Sequence, residues 1–365
     1  MKPVGIGVVG CGNISAAYLT AARRFPILNL VALADANPRA AEARAAEFGL
    51  PARPVDALLA DPAVEIVLNL TVPKAHVDVG LKAIAAGKHV HSEKPLGVTV
   101  REARRLIEAA AAKGLRLGSA PDTFLGGAHQ TARRAIDEGL IGRPIGGAAF
   151  FMCPGHERWH PNPGFYYLAG GGPMLDMGPY YVTDLVNLLG PVASVSGAAT
   201  RTRSERVVTS QPLAGTRVPV EVATHVTGTL MFESGAAVSM TMSFDVARHR
   251  HGPIELYGET GSLIVPDPNH FGGKVEFATA SEDWREIPTE GPYADGNYRI
   301  VGLADMAQAT RAGRPHRASG ELAFHVLEVM EAFQTSSDAG KSVAISTRPR
   351  RPAPLSPSLR VGELD

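Results

Sequence analysis

Cysteine is almost absent from this chain of 365 residues: Cys11 and Cys153 are the only two, far apart and in no disulfide or metal spacing. That excludes a disulfide scaffold and a cysteine-built metal centre, and two free thiols suit a reducing compartment. Net charge is absent as well, because 36 basic residues balance 36 acidic ones. No overall field gathers nucleic acid or an anionic membrane surface. No apolar run approaches the about 18 residues of a membrane span, and Met1-Lys2-Pro3 leads into an apolar stretch, Val4–Val9, too short and wrongly flanked for a signal peptide. The expectation is a cytoplasmic protein that handles small molecules, with no nucleic-acid or membrane partner.

Apolar residues are plentiful, at 45%, and the length exceeds what one core fills, so two domains are expected. Up to about Ser119, short apolar runs (Val4–Val9, Leu30–Ala34, Ile66–Leu70, His89–Ser92, Arg116–Gly118) alternate with alanine-rich helical segments (Ser15–Arg24, Pro38–Phe48, His76–Ala86, Val100–Lys113). Gly49, Gly87 and Gly114 stand where helix caps belong. This is the pattern of βαβ units, an α/β Rossmann-type doubly wound parallel sheet over residues 1–122. After a helix near His129–Glu138, residues 123–365 turn to Val, Thr, Ser and Phe-rich strands: Ile145–Cys153, Val192–Arg203, Val222–Phe232, Ala236–Val246, Ile254–Tyr257, Ser262–Val265 and Lys274–Ala278. A hairpin turn at Glu233-Ser234-Gly235 implies a largely antiparallel open sheet, an α+β domain. Helices near Tyr180–Leu189, Tyr298–Ala312 and Ser319–Ala339 are expected to cover it, the last through Leu322, Val326, Val329 and Phe333. The proline- and arginine-rich tail from Thr347 reads as irregular.

Gly10-Cys11-Gly12-Asn13-Ile14-Ser15 follows the first strand and opens a helix, the setting of a dinucleotide fingerprint. Gly10 permits the tight turn, Gly12 lets a pyrophosphate approach, and the N–H groups of Asn13 and Ile14 lie at the positive end of the helix. Ser15 replaces the usual third glycine or alanine. Asp35 ends the second strand about 20 residues on, where a carboxylate takes the ribose hydroxyls and repels a 2′-phosphate. NAD is therefore expected, with NADP left open by Arg39. An N-cap for the helix at Asn37-Pro38 is a second, compatible reading of Asp35.

Three later motifs carry a likeness. Asn69-Leu70-Thr71-Val72-Pro73-Lys74-Ala75-His76, then Ala86-Gly87-Lys88-His89-Val90-His91-Ser92-Glu93-Lys94-Pro95, then Gly170-Gly171-Gly172-Pro173-Met174-Leu175-Asp176-Met177-Gly178-Pro179-Tyr180 occur in order along nearly the whole chain. The chain resembles the Gfo/Idh/MocA oxidoreductases, which include glucose–fructose oxidoreductases and inositol dehydrogenases. The resemblance implies that Lys94 assists proton transfer at a substrate hydroxyl or carbonyl, with Asp176 and Tyr180 completing the site. It also implies that Asn37, Thr71, Pro73, His76 and Glu93 join Lys94 at the cofactor, and that the chain forms a homodimer or homotetramer. Many relatives carry histidine where Tyr180 stands; glucose–fructose oxidoreductases carry tyrosine. Which of Lys94 and Tyr180 takes the proton stays open.

Hydride removal from an alcohol requires a base at its oxygen. Lys94 follows a strand at the carboxyl edge of the sheet, where ligands bind in open α/β folds, and Pro95 restricts its backbone. Partial desolvation beside nicotinamide is expected to lower the pKa of its amine. Pro179 cannot lie deep in a helix, so the helix carrying Asp176 and Tyr180 is expected to begin close to Asp176. An N-cap role for Asp176 and plain packing for Tyr180 are the alternatives, and binding of substrate hydroxyls is an equal reading of Asp176. His156, Trp159 and His160, in a loop rich in proline and glycine, and Asp122 at the domain crossover are candidate substrate contacts. The pairs His89-x-His91 and His249-x-His251 lack a third ligand, so no metal site is expected. The leading reading is an NAD-dependent oxidoreductase acting on a secondary alcohol or ketone of a sugar, glycoside or cyclitol. An NADPH-dependent ketoreductase of deoxysugar biosynthesis and a non-catalytic NAD-binding regulator are the competitors.

Overall fold

The structure, a computed structural model, describes residues 2–365. By internal contacts the chain forms two units: residues up to Gln130 with Glu290–Phe324 and Pro352–Asp365, and Thr131–Thr289 with His325–Arg351.

The first unit holds β1 (Val4–Val9), α1 (Asn13–Ala22), β2 (Leu28–Ala34), α2 (Pro38–Phe48), α3 (Val55–Ala60), β3 (Ile66–Asn69), α4 (His76–Ala85), β4 (His89–Ser92), α5 (Val100–Ala112) and β5 (Leu117–Ser119). Its five strands are parallel in the order β2-β1-β3-β4-β5. β1 and β3 are buried throughout, as expected of strands covered on both faces. The order reverses direction between β1 and β3, so the loops after these two strands flank the switch point where open α/β sheets bind ligands. Gly49, Gly87 and Gly114 adopt positive φ at helix ends, as their positions imply. α3, too short for a periodic signal, was not expected.

α6 (Gly127–Asp137) follows, and the division between the units falls within it. The second unit continues with β6 (Pro144–Met152), α7 (Pro173–Leu189), β7 (Val192–Thr200), β8 (Glu205–Val207), β9 (Arg217–Pro219), β10 (His225–Phe232), β11 (Ala237–Ser243), β12 (Ile254–Gly258), β13 (Ser262–Val265), β14 (Val275–Ala278) and β15 (Arg285–Ile287). The chain then gives α8 (Val301–Ala312), α9 (Gly320–Ala339) and β16 (Val343–Ala344), and no regular element follows. Nine strands form one sheet, β15-β14-β13-β12-β6-β11-β10-β7-β16, antiparallel except where β6 and β11 run parallel. β8 and β9 pair apart from it. β10 and β11 are joined by the expected turn, with Gly235 at φ 87°.

Two expectations are corrected. The helix bearing Asp176 begins at Pro173, with Pro179 inside it. Pro173 occupies the first turn, where a missing N–H costs nothing, and Pro179 forfeits one bond in the second turn of a helix otherwise almost wholly buried. The segment Tyr298–Ala312, expected on the nine-stranded sheet, is part of the first unit instead. α8 belongs to the first unit and packs on β5, and its Arg311 pairs with Glu65 just before β3 at 2.7 Å. α7 packs on β6, β10 and β11. The second-unit part of α9 lies on β7, where Phe333 meets Gly197 and the Ser336 hydroxyl accepts the Gly197 N–H at 2.9 Å. Among the described residues no helix is long and apolar enough to cross a membrane.

Candidate active site

The first unit gathers the nucleotide motif at the end of β1. Gly10 has φ 107°, and a Cβ there would come within 2.5 Å of the Leu70 carbonyl carbon, so only glycine lets this loop lie against the one after β3. A Cβ on Gly12 would meet nothing within 4 Å, so the loop opens there onto free space at the start of α1. The Ser15 N–H bonds the Gly12 carbonyl at 3.1 Å, whereas the N–H groups of Asn13 and Ile14 stand at the free start of the helix. Ser15 is buried and its hydroxyl donates to the Gly12 carbonyl at 2.6 Å, closing the turn with a side chain small enough for the packing. Free space over a glycine, facing unpaired N–H groups, fits a bound pyrophosphate.

Asp35 is locked by backbone donors: the Cys11 N–H reaches one oxygen and the Asn37 N–H the other, each at 2.8 Å. Asn37, not Asp35, caps α2, accepting from the Arg39 N–H at 3.2 Å. Arg39 is exposed. Arg44, which no motif signalled, reaches from α2 to the Gly12 carbonyl at 3.3 Å. Burial, then the Asp35 charge, pushes the Cys11 thiol up to about 11, so it remains a thiol and offers no nucleophile.

The loop after β4 carries Glu93-Lys94-Pro95, with a cis peptide between Lys94 and Pro95. Glu93 binds one backbone and one side-chain donor. Glu93 is buried and accepts the Lys94 N–H at 2.8 Å through one oxygen and the Tyr18 hydroxyl at 2.6 Å through the other. Tyr18, on α1, went unnoticed in the sequence because a tyrosine on a helix face reads as packing. Asn69, fully buried at the end of β3, donates to the His76 carbonyl at 2.9 Å and accepts the Thr71 hydroxyl at 2.7 Å. Pro73 opens a single 3₁₀ turn leading into α4. His76, 0% exposed, turns its ring onto two carbonyls, those of Pro95 at 2.7 Å and Thr71 at 2.9 Å. Burial pulls its pKa down, against the two carbonyls and the Glu93 charge, with Lys94 adding to the downward pull.

Asp122 is drawn away from solvent. One carboxylate oxygen accepts the Ile300 and Gly302 N–H groups at 2.8 and 3.0 Å, at the start of α8. At 1% exposure, burial lifts its pKa to about 6 against those two bonds. This carboxylate anchors a helix start rather than facing a cleft.

In the second unit, His156, Trp159, His160 and Asp176 converge. Trp159 donates its indole N–H to His156 Nδ1 at 3.1 Å. An indole only donates, so Nδ1 accepts and Nε2 carries the proton, which it gives to Asp176 at 3.1 Å. Tyr166 and Trp159 pack edge-on to the His156 ring at 4.4 and 5.2 Å, and His160 packs edge-on to Tyr166 at 5.3 Å. Burial lowers the pKa of His160. Trp159 and Phe165 stay exposed, an aromatic rim around polar groups. Tyr180, one turn beyond Asp176 on α7, is buried.

A buried ionic web supports this loop. Arg206, 3% exposed, pairs with Glu157 at 2.9 Å and with Asp245, and donates to the Phe244 carbonyl at 3.0 Å. Glu157 also accepts the Tyr167 hydroxyl, and Asp245 the Thr224 hydroxyl at 2.6 Å. A cavity of 610 Å³ opens beside the web, lined in part by Pro154, Glu157, Arg158, Arg206 and Asp245. No sequence motif announced Arg206, Tyr167 or Asp245.

Comparison with known proteins places the chain. Residues 4–120 match the model of the Gfo/Idh/MocA oxidoreductase family, NAD-binding Rossmann fold, and residues 129–264 match the Gfo/Idh/MocA C-terminal domain. The chain belongs to the Gfo/Idh/MocA family. Among its relatives, 1,5-anhydro-D-fructose reductase of Ensifer adhaerens is 30% identical over 71% of this chain and 74% of its own length. Inositol 2-dehydrogenase of Pseudomonas fluorescens SBW25 is 27% identical over 94% and 98%. The structure of a levoglucosan dehydrogenase with NADH and L-sorbose shares the fold, with a TM-score of 0.82 at 22% identity, covering 95% of this chain and all of that one. This Gfo/Idh/MocA chain is therefore an NAD(P)-binding oxidoreductase of the sugar-dehydrogenase type.

Proposed function

We propose that this enzyme interconverts a secondary alcohol and a ketone on a sugar, glycoside or cyclitol, with NAD as its cofactor. The observation that carries the reading is Lys94, held through its own backbone N–H at the carboxyl end of β4, on the same edge of the parallel sheet as a glycine loop open to a pyrophosphate. Relatives named for anhydrofructose, levoglucosan and inositol support the substrate class.

A bound nicotinamide dinucleotide would supply the hydride acceptor or donor. Gly10 and Gly12 leave room for its pyrophosphate, and the N–H groups of Asn13 and Ile14 bind it. Asp35, its carboxylate fixed by Cys11 and Asn37, accepts the ribose hydroxyls and disfavours a 2′-phosphate. Arg39 and Arg44 add positive charge near that loop. Lys94 takes the substrate hydroxyl proton during oxidation and returns it during reduction, with Tyr180 the alternative shuttle. Asp176, with its His156 donor, accepts other hydroxyls of the substrate, and Trp159 and His160 line the ring face.

The solvent face of the nine-stranded sheet carries Phe150 and the exposed Met231 and Tyr257. We assign it to pairing with a second copy; light scattering of a monomer at micromolar concentration would contradict this.

The test of the reaction is the absorbance of reduced nicotinamide when purified enzyme meets NAD, or NADP, with free sugars, glycosides, sugar acids and inositols. Reduction with at least one polyol, faster with NAD, is expected. No reduction with any of them, while calorimetry shows NAD bound, would overturn catalysis in favour of a regulatory protein.

A further inference from the structure

His76 meets two acceptors at once. Its Nδ1 lies 2.7 Å from the Pro95 carbonyl and its Nε2 2.9 Å from the Thr71 carbonyl, and the ring is fully buried. A carbonyl oxygen only accepts, so a doubly protonated ring satisfies both and a neutral ring one. The backbone of His76 is itself held, because Asn69 donates to the His76 carbonyl and so ties the start of α4 to the end of β3. The two carbonyls belong to the loops after neighbouring parallel strands, β3 and β4. One of them is the carbonyl of Pro95, the residue directly after Lys94, and Lys94 is held from its other side by Glu93.

We infer that His76 is a positioning residue for Lys94: its Nδ1–H grips the Pro95 carbonyl and fixes the Lys94–Pro95 segment against the Thr71 loop. The inference rests on Lys94 being the proton carrier proposed above. His76 touches no reacting atom. Glu93 holds the segment through a second, independent bond, so loss of His76 loosens Lys94 without releasing it.

Two substitutions separate the two ends of the ring. In His76→Asn the amide nitrogen stands where Nδ1 was and keeps the Pro95 bond; in His76→Gln it stands where Nε2 was and keeps the Thr71 bond. Turnover with a polyol that the wild type oxidises should fall about five-fold further in His76→Gln and His76→Ala than in His76→Asn. Hydrogen exchange of the peptide spanning Glu93–Gly97, read by mass spectrometry without substrate, should follow the same order. Equal losses in His76→Asn and His76→Gln, in turnover and in exchange, would reduce His76 to a packing role and overturn the inference. Lys94→Ala measured alongside separates the failures: undiminished turnover there refutes the role of Lys94, whereas a large loss there with equal histidine variants refutes only the positioning.

Discussion

In the first unit most bonds that hold the residues assigned to the cofactor involve a backbone atom, the Tyr18–Glu93 and Thr71–Asn69 bonds excepted, whereas in the second the residues assigned to the substrate are held through side chains. Asp35 accepts two backbone N–H groups, Glu93 accepts the N–H of Lys94, and His76 reaches two carbonyls. His156 instead depends on Trp159 and Asp176, and the loop that carries it depends on Arg206, Glu157 and Asp245. Backbone contacts tolerate change in side chains and preserve one geometry, which suits an invariant nucleotide. Side-chain contacts can be exchanged residue by residue, which suits a site that must be refitted to different polyols.

The largest effect should come from Arg206→Ala, which leaves Glu157 and Asp245 buried without their cation. A loss of about 3–5 kcal/mol is expected in urea unfolding, with a raised KM for the polyol. NAD affinity should stay within about two-fold, because the cofactor residues share no partner with Arg206. An equal loss of NAD affinity would break the division between backbone-held and side-chain-held halves.

Asp122 supplies a pH test within the first unit. Its folded pKa, about 6, lies above the ordinary 3.8, so the folded state holds more protons over that interval. Its contribution is fully present below about pH 4 and declines as pH rises through 6, by up to about 3 kcal/mol. Asp122→Asn keeps an acceptor for the Ile300 and Gly302 N–H groups and removes the titration. Thermal melts of the two proteins should differ more at pH 7 than at pH 4, with the variant the more stable at pH 7. A constant difference would show that the carboxyl is not held neutral by burial.

Asp35→Ala should act chiefly on cofactor choice. The ratio of kcat/KM for NAD over NADP should drop about ten-fold or more through loss of a charged acceptor. An enzyme that already prefers NADP would contradict the role given to Asp35.

The same division explains what the sequence made legible. Backbone geometry leaves marks at short spacing: Gly10, Gly12, Asp35 and Lys94 lie at strand ends that periodicity locates, and β1, α2 and β4 have the expected limits. Arg206 lies about 50 residues from Glu157 and about 40 from Asp245, so their pairing depends on a fold that no local pattern encodes. Asp122 was read as a substrate contact because a carboxylate at a crossover gives no sign of the helix start, nearly 180 residues later, that claims it. Pro179 misled for a different reason: burial of α7 outweighs one forfeited bond, and a propensity rule does not see burial.

The most direct test of the account is Lys94→Ala, followed by NAD calorimetry and by turnover with a polyol that the wild type oxidises. If Lys94 moves the proton, NAD affinity stays within about two-fold while kcat falls about 10²-fold or more. Undiminished turnover, with NAD still bound, would remove Lys94 from the chemistry and leave Tyr180 as the shuttle.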